Sequence, residues 1–331
     1  MLLSVLCLCV MVAELALGPV TIPPDRILAV LSGSGTQAEH AIFWQIRAPR
    51  MLLGIATGVA LAFSGAALQG LLRNPLAEPG LIGVTAGASM GAVTVIVLGG
   101  ALLVPAVIAP FMLPLAAFIG SAVVVAILFV LAAGGRGQSI TILILAGVAL
   151  NAIAGAFIGV LVYISDDQQL RDLTFWTMGS LGTAQAELVV IVSCLALATV
   201  PVFVWQTRAL DLLQLGDRAA FHSGLNVTKS RLLIGGSTAL SVGAVTCAAG
   251  PIGFIGLVAP HIARLLFGPV HAVLLPAAAL IGVVLVLSAD LAVRMAVPPA
   301  EPPIGLATSL IGGPFFLWLV LNQIRKGQRI A

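Results

Sequence analysis

Apolar residues run almost unbroken along this chain, and polar ones arrive in short bursts between them. No sustained apolar/polar alternation of the strand type occurs, and the runs recur at the length of roughly 20 residues that carries an α-helix across a bilayer. Ten runs are predicted as membrane helices, at residues 1–18, 50–71, 83–107, 111–133, 140–163, 187–206, 232–250, 254–267, 272–294 and 305–324. The eighth is short and reads as a broken or partly re-entrant helix. The first has no basic segment ahead of it, so it reads as a membrane helix and not as a signal peptide.

Composition sharpens this picture. The chain is 60% hydrophobic and 8% charged, where a soluble domain holds about 25% charged residues. So few charges could not cover a soluble fold of 331 residues. The fold class is therefore an all-α polytopic membrane protein, and with one Tyr and no alternating pattern a β-barrel is excluded. A net charge of +3 is too small to imply nucleic acid as a partner. Cys7, Cys9, Cys194 and Cys247 lie in apolar runs and read as small buried hydrophobes.

Ten crossings put both termini on one side, and Lys and Arg choose the side. Cytoplasmic termini place ten of the fifteen basic residues inside and five outside, namely Arg26, Arg47, Arg50, Arg171 and Arg294. Those five need a reason beyond topology. Three glycine pairs, Gly54/Gly58, Gly87/Gly91 and Gly155/Gly159, have the spacing that lets helix backbones approach closely in lipid. The longest polar segment, Arg208 to Arg231, reads as two short cytoplasmic helices, with Asp217 as N-cap of the second and Gly224 closing it.

The candidate chemistry is sparse. GASMG at 87–91 matches the GxSxG of serine hydrolases, but it sits in a membrane helix with no strand before it. An intramembrane serine protease would pair Ser89 with His261; close packing explains the motif better. There is no HExxH, and GLNVTKS lacks the Gly that a P-loop needs before its Lys. No metal or cofactor is expected on this chain, and ATP, if used, is expected with Mg on another subunit. An ion-coupled secondary transporter would want a charge near mid-membrane, and no such charge is evident. Asp290 and Arg294, four apart on one helix, can pair.

WQIRAPR, SGAALQGLLRNPLAEPGLIGVTAGASMGA, PIGFIGLVAPHIARLLFG and PPIGLATSLIGGPFF, with LAGVALN and LRDLTFWTMGSL between them, resemble the permeases of ABC importers for iron-siderophores, haem and vitamin B12. The resemblance covers nearly the whole chain and is strongest to the haem permeases. It implies a single permease domain over 1–331 in the bacterial inner membrane, forming a homodimer with its path on the dimer axis. Two ATPase subunits would sit below and a periplasmic binding protein above, with haem or a related iron chelate as cargo. By the same resemblance Arg47, Arg50 and Arg294 would meet the binding protein. Asn74 and Leu76 of the RNPLAEP turn would form a cytoplasmic gate, with Ile140 and Thr141 as a weaker second part. The segment 208–231 would be the coupling helices, with Leu215, Gly216, Asp217, Ala220, Gly224 and Leu225 in the ATPase groove. Arg171 could meet a haem propionate at the outer mouth, or pair with Asp167 or Asp172.

Overall fold

The computed structural model describes residues 1–101, 105, 108–133, 140–182, 185–298 and 300–328. Among these every regular element is helical. The first part holds α1 (Leu2–Ala16), α2 (Pro24–Leu31) and α3 (Gln37–Ala41), then a π-helical turn Ile42–Arg47 that runs directly into α4 (Ala48–Leu72). A 3-10 turn Pro79–Ile82 leads to α5 (Val84–Leu98), followed by α6 (Ala109–Ala133), α7 (Ile140–Ile164) and α8 (Asp167–Met178). Then come α9 (Ala186–Leu197), α10 (Val200–Trp205), α11 (Thr207–Gln214) and α12 (Asp217–His222). The chain closes with α13 (Val227–Ala249), α14 (Ile255–Phe267), α15 (His271–Ala296) and α16 (Ile304–Gln328).

Six helices among the described residues are long and apolar enough to cross a membrane, and four shorter ones are apolar. The shorter ones are Leu2–Ala16, Val84–Leu98, Ile255–Phe267 and Ile304–Leu319. The run predicted at 187–206 is broken at Ala198–Thr199, where Pro201 starts α10 afresh. The short run at 254–267 is indeed a short helix, α14.

α4 is the central post. Of its apolar stretch 78% is buried, and α15, α13, α9 and α14 pack around it. Small residues make that approach close enough. A Cβ on Gly58 would lie 2.6 Å from the Val283 nitrogen of α15, and one on Gly65 would lie 1.8 Å from the Gly256 carbonyl of α14. Gly87 and Gly91 do the same for α5 on α6, against Gly120 and Ala116. Backbones thus meet directly, gaining dispersion contacts where lipid offers no hydrophobic drive.

The third glycine pair differs. A Cβ on Gly155 or Gly159 of α7 would meet nothing within 4 Å, and only 17% of the α7 stretch is buried. The same spacing serves helix packing inside the chain at two places and leaves the helix face uncovered at the third. The cysteines divide as well: Cys7 and Cys247 are buried, while Cys9 and Cys194 face outward from apolar helices.

Gly65→Val is expected to collapse the yield of folded protein in mild detergent, because Gly256 backbone cannot yield as a side chain would; overpacking alone costs about 1–3 kcal/mol. Gly236→Ala, with open space around it, should melt like the parent. Equal melting temperatures for the two variants would contradict the packing.

Candidate functional site

Two polar clusters interrupt the apolar bundle, one at each end. The first gathers Arg47, Arg50 and Arg294, brought from the start of the α4 span and the end of α15. None of the three projects freely; each is buried to within 5%. Arg50 grips Asp290 through Nε at 2.8 Å and Nη2 at 3.0 Å, and reaches Glu301 through Nη1 at 2.6 Å. Arg294 pairs with Glu14 of α1 at 2.7 Å and lies 3.8 Å from Asp290. Arg47 donates to the carbonyls of Leu15, Ala16 and Val20, the first two in the last turn of α1. There it satisfies carbonyls that the helix leaves orphaned and complements the negative end of its dipole.

Two guanidinium groups, of Arg50 and Arg294, thus meet three carboxylates, Glu14, Asp290 and Glu301, while Arg47 is held by backbone carbonyls. The cluster ties α1, α4, α15 and the segment before α16 at one level. Within this chain the three arginines already have partners, and of the paired side chains only Glu301, 44% exposed, is open to solvent. The Asp290–Arg294 pair, anticipated from spacing, is the weakest contact in the set. Two remaining outer arginines also have local partners. Arg26 makes a two-pronged pair with Glu39 at 2.8 and 2.7 Å, and Arg171 donates to Gln168 at 2.7 Å rather than to Asp167 or Asp172.

The opposite end holds the turn after α4. Arg73 closes α4 in the left-handed conformation at φ 50°. The Asn74 side chain accepts from the Leu76 backbone at 3.0 Å, and the Asn74 carbonyl accepts from Ala77 at 3.1 Å. Pro79 packs against the start of α14, where a Cβ on Gly256 would come within 3.0 Å of its ring, next to Phe254 at φ 67°. Asn151 of α7 donates to the Gly80 carbonyl at 3.0 Å, and Gly147 lets the Leu81 carbonyl approach so closely that a Cβ would lie 2.2 Å from it. The turn is therefore one hydrogen-bonded unit, clasped by α7 on one side and by the start of α14 on the other. Ile140 begins α7, and the side chains of Ile140 and Thr141 lie outside the described residues.

The segment after α10 folds as two short helices, α11 and α12. Asp217 is the first residue of α12 and not its cap, since Gly216 at φ 104° takes that place. Both Asp217 oxygens accept from Arg231 Nη2 at 2.8 Å, and Arg73 stands 3.9 Å away. Gly224, at φ 82°, closes α12 as expected, and Leu225 donates back to Ala220, which is buried. Asp211 of α11 accepts from both the backbone and the ring Nδ1 of His271, at 3.1 and 2.6 Å. That contact anchors α11 to the start of α15. Leu215 and Phe221, 72% and 69% exposed, are apolar residues left bare on this polar segment.

Ser89 and His261 form no such constellation. Ser89 is buried on α5, whose neighbours are α6, α7 and α13, while His261 of α14 stacks edge-on against Phe315 with ring centres 5.7 Å apart. Sequence reading gave no role to Asn151, Gly147, Asp211, Glu14 or Glu301. LAGVALN carried a signal for the first two, as a polar Asn one turn after a Gly in an otherwise apolar helix. The others meet partners far away in sequence, and nothing local marks them.

Residues 5–322 match the FecCD transport family. The chain belongs to that family. It is 48% identical over 290 residues to the hemin transport system permease protein HmuU of Yersinia pestis, covering 88% of this chain and 86% of that one. It is 41% identical over 300 residues to the vitamin B12 import system permease protein BtuC of Salmonella paratyphi A, covering 89% of each. Among solved structures, a metal-chelate type ABC transporter in an inward-facing conformation superposes with a TM-score of 0.86 at 30% identity, over 97% of each chain. In this FecCD protein the motif residues thus fall at both ends of the bundle, joined by α4, α7 and α15.

Arg50→Met should destabilise the detergent-solubilised protein by about 3–5 kcal/mol, because Asp290 is left buried with its main partner gone. The double variant Arg50→Met/Asp290→Met should recover much of that loss. Additive losses in thermal melting would show that the two groups do not form a unit.

Proposed function

We propose that this chain is the permease subunit of an ATP-driven ABC importer that carries haem, or a related iron chelate, from periplasm to cytoplasm. The observation that carries the cargo is the 48% identity to a hemin permease over 88% of the chain. It is higher than the 41% to a vitamin B12 permease over nearly the same length. In this reading the ten apolar helices all cross the inner membrane, and both termini are cytoplasmic.

Two copies face each other across the path. The bare α7 face at Gly155 and Gly159 supports this, since an uncovered helix face next to the gate turn suits either a second copy or the path itself. ATPase subunits, which would hold ATP-Mg, dock below on α11 and α12. Exposed Leu215 and Phe221 support that, as apolar side chains presented on a polar surface favour a protein partner. Asp211 and Asp217 would pass the push onward, to α15 through His271 and to Arg73 beside the gate turn. The turn carrying Asn74 and Leu76 would move as one piece, because its hydrogen bonds close on themselves. ATP and partner proteins would shift the bundle between states by differential affinity for each.

The periplasmic binding protein would dock at the end that holds Arg47, Arg50 and Arg294. Its acidic groups would approach through the exposed edge at Glu301, and Arg171 would lie near the mouth as a candidate partner for a haem propionate. Lys in place of Arg keeps charge but loses the forked geometry. Arg50→Lys with Arg294→Lys is therefore expected to weaken binding-protein affinity about tenfold at unchanged expression. Unchanged affinity in a folded double variant would move docking elsewhere.

Cargo is tested with the permease and its neighbouring ATPase in liposomes, adding binding protein loaded in turn with haem, a ferric siderophore and cobalamin. Haem-loaded protein should stimulate ATP hydrolysis and haem uptake. Stimulation by cobalamin alone would assign the chain to vitamin B12.

A further inference from the structure

A cavity of about 310 Å³ lies between the inner end of α10 and the start of α13, on the side of α11 that meets the bundle. Trp205, Gln206, Arg208, Ser223, Asn226 and Lys229 line it. Three features set it apart from an ordinary surface cleft. Arg208 and Lys229 are both exposed, and among the described residues neither stands in an ion pair, whereas nearby Arg231 is held by Asp217. Gln206 is 5% exposed, yet its buried side-chain carbonyl oxygen has no hydrogen-bond partner. Trp205 is 67% exposed and ends the apolar span Ala186–Trp205, the level at which indoles sit in a membrane interface.

We propose that this cavity binds the headgroup of an anionic glycerophospholipid carrying a free hydroxyl, of the phosphatidylglycerol type. Two unpaired cations fit a phosphodiester, and basic pockets between membrane helices on the cytoplasmic side take such headgroups. The orphaned Gln206 oxygen needs a donor, because a buried acceptor left unmade is costly. An ammonium donor would stand beside Arg208 and Lys229 and be repelled, so a hydroxyl fits better. The acyl chains have apolar surface to follow in Leu212 and Leu233, which line the same cavity, and in Val204 beside Trp205, 51% exposed. A lipid seated here would brace α11, and with it the segment proposed to receive the ATPase. The site does not depend on cargo, but Gly224 and Leu225, which also line it, belong to the segment proposed to receive the ATPase, so it is tested on the permease alone. Its assignment to the cytoplasmic leaflet rests on the proposed orientation.

Native mass spectrometry of the delipidated full-length chain tests this directly. The probes are phosphatidylglycerol, phosphatidylcholine of the same acyl chains, and soluble glycerol 3-phosphate as competitor. Phosphatidylglycerol should bind at lower concentration than phosphatidylcholine, by about fivefold for each cation engaged. Arg208→Gln with Lys229→Gln should abolish the preference, Lys229→Arg should keep it, and Gln206→Leu should reduce it. Equal binding of the two lipids by the parent protein would overturn the proposal without any variant. So would a preference that survives in a double variant melting like the parent. Displacement of the lipid by equimolar glycerol 3-phosphate would also overturn it, by making the ligand a soluble phosphate.

Discussion

The close contact of α4 with its neighbours is the constraint from which the rest of this structure follows. In lipid, helices gain little from burying apolar surface, so their association depends on dispersion between backbones that small residues allow to touch. Gly58 against Gly282 and Val283, and Gly65 against Gly256, fix α15 and α14 on the same post. Once they are fixed, Arg50 on α4 and Asp290 on α15 fall opposite one another. At the other end, Gln69 of α4 meets Arg264 of α14 at 2.8 Å. Polar clusters at both ends are thus consequences of one packed axis. Leaving either partner alone in such a setting would cost more than the pair itself contributes.

Against this rigid axis stand parts that the chain leaves unfinished. α7 keeps most of its surface bare, yet it holds the turn after α4 through Asn151 and Gly147. The turn carries two residues in left-handed or closely tied conformations at its borders, Arg73 and Gly83, so it has a defined shape of its own. In the proposed function this turn is the moving part, because displacing it breaks few of its internal bonds. α11 and α12 are similarly anchored from behind and bare in front. The combination of a fixed post, a clasped turn and bare faces suits a subunit that works between partners.

Much of the architecture was legible in the sequence because membrane helices announce themselves by length and hydropathy, without tertiary information. The two short helices of 208–231 were legible for a related reason, since Gly216 and Gly224 mark their ends. Pairing was legible only in part. Asp290 and Arg294 do pair as their spacing suggests, at 3.8 Å, but Arg50 presents a fork from another helix and holds the carboxylate more closely. Arg47 finds its partners in backbone carbonyls of α1 and of Val20, which carry no sequence signature. Asp217 resembled a cap until Gly216 took that role and freed its carboxylate for Arg231. The glycine pair on α7 shows the same limit, because identical spacing does not say whether the facing helix belongs to this chain.

Whether the bare α7 face meets a second copy is the most direct question to put to the molecule. With Cys7, Cys9, Cys194 and Cys247 replaced, Gly155→Cys and Gly159→Cys would be treated in native membranes with a bifunctional maleimide. Ile191→Cys on the exposed face of α9 would serve as a control. A path formed between two copies predicts covalent dimers at 155 or 159 and none at 191. Monomers alone at all three positions, with 155 and 159 reactive only toward lipid-soluble maleimides, would contradict it.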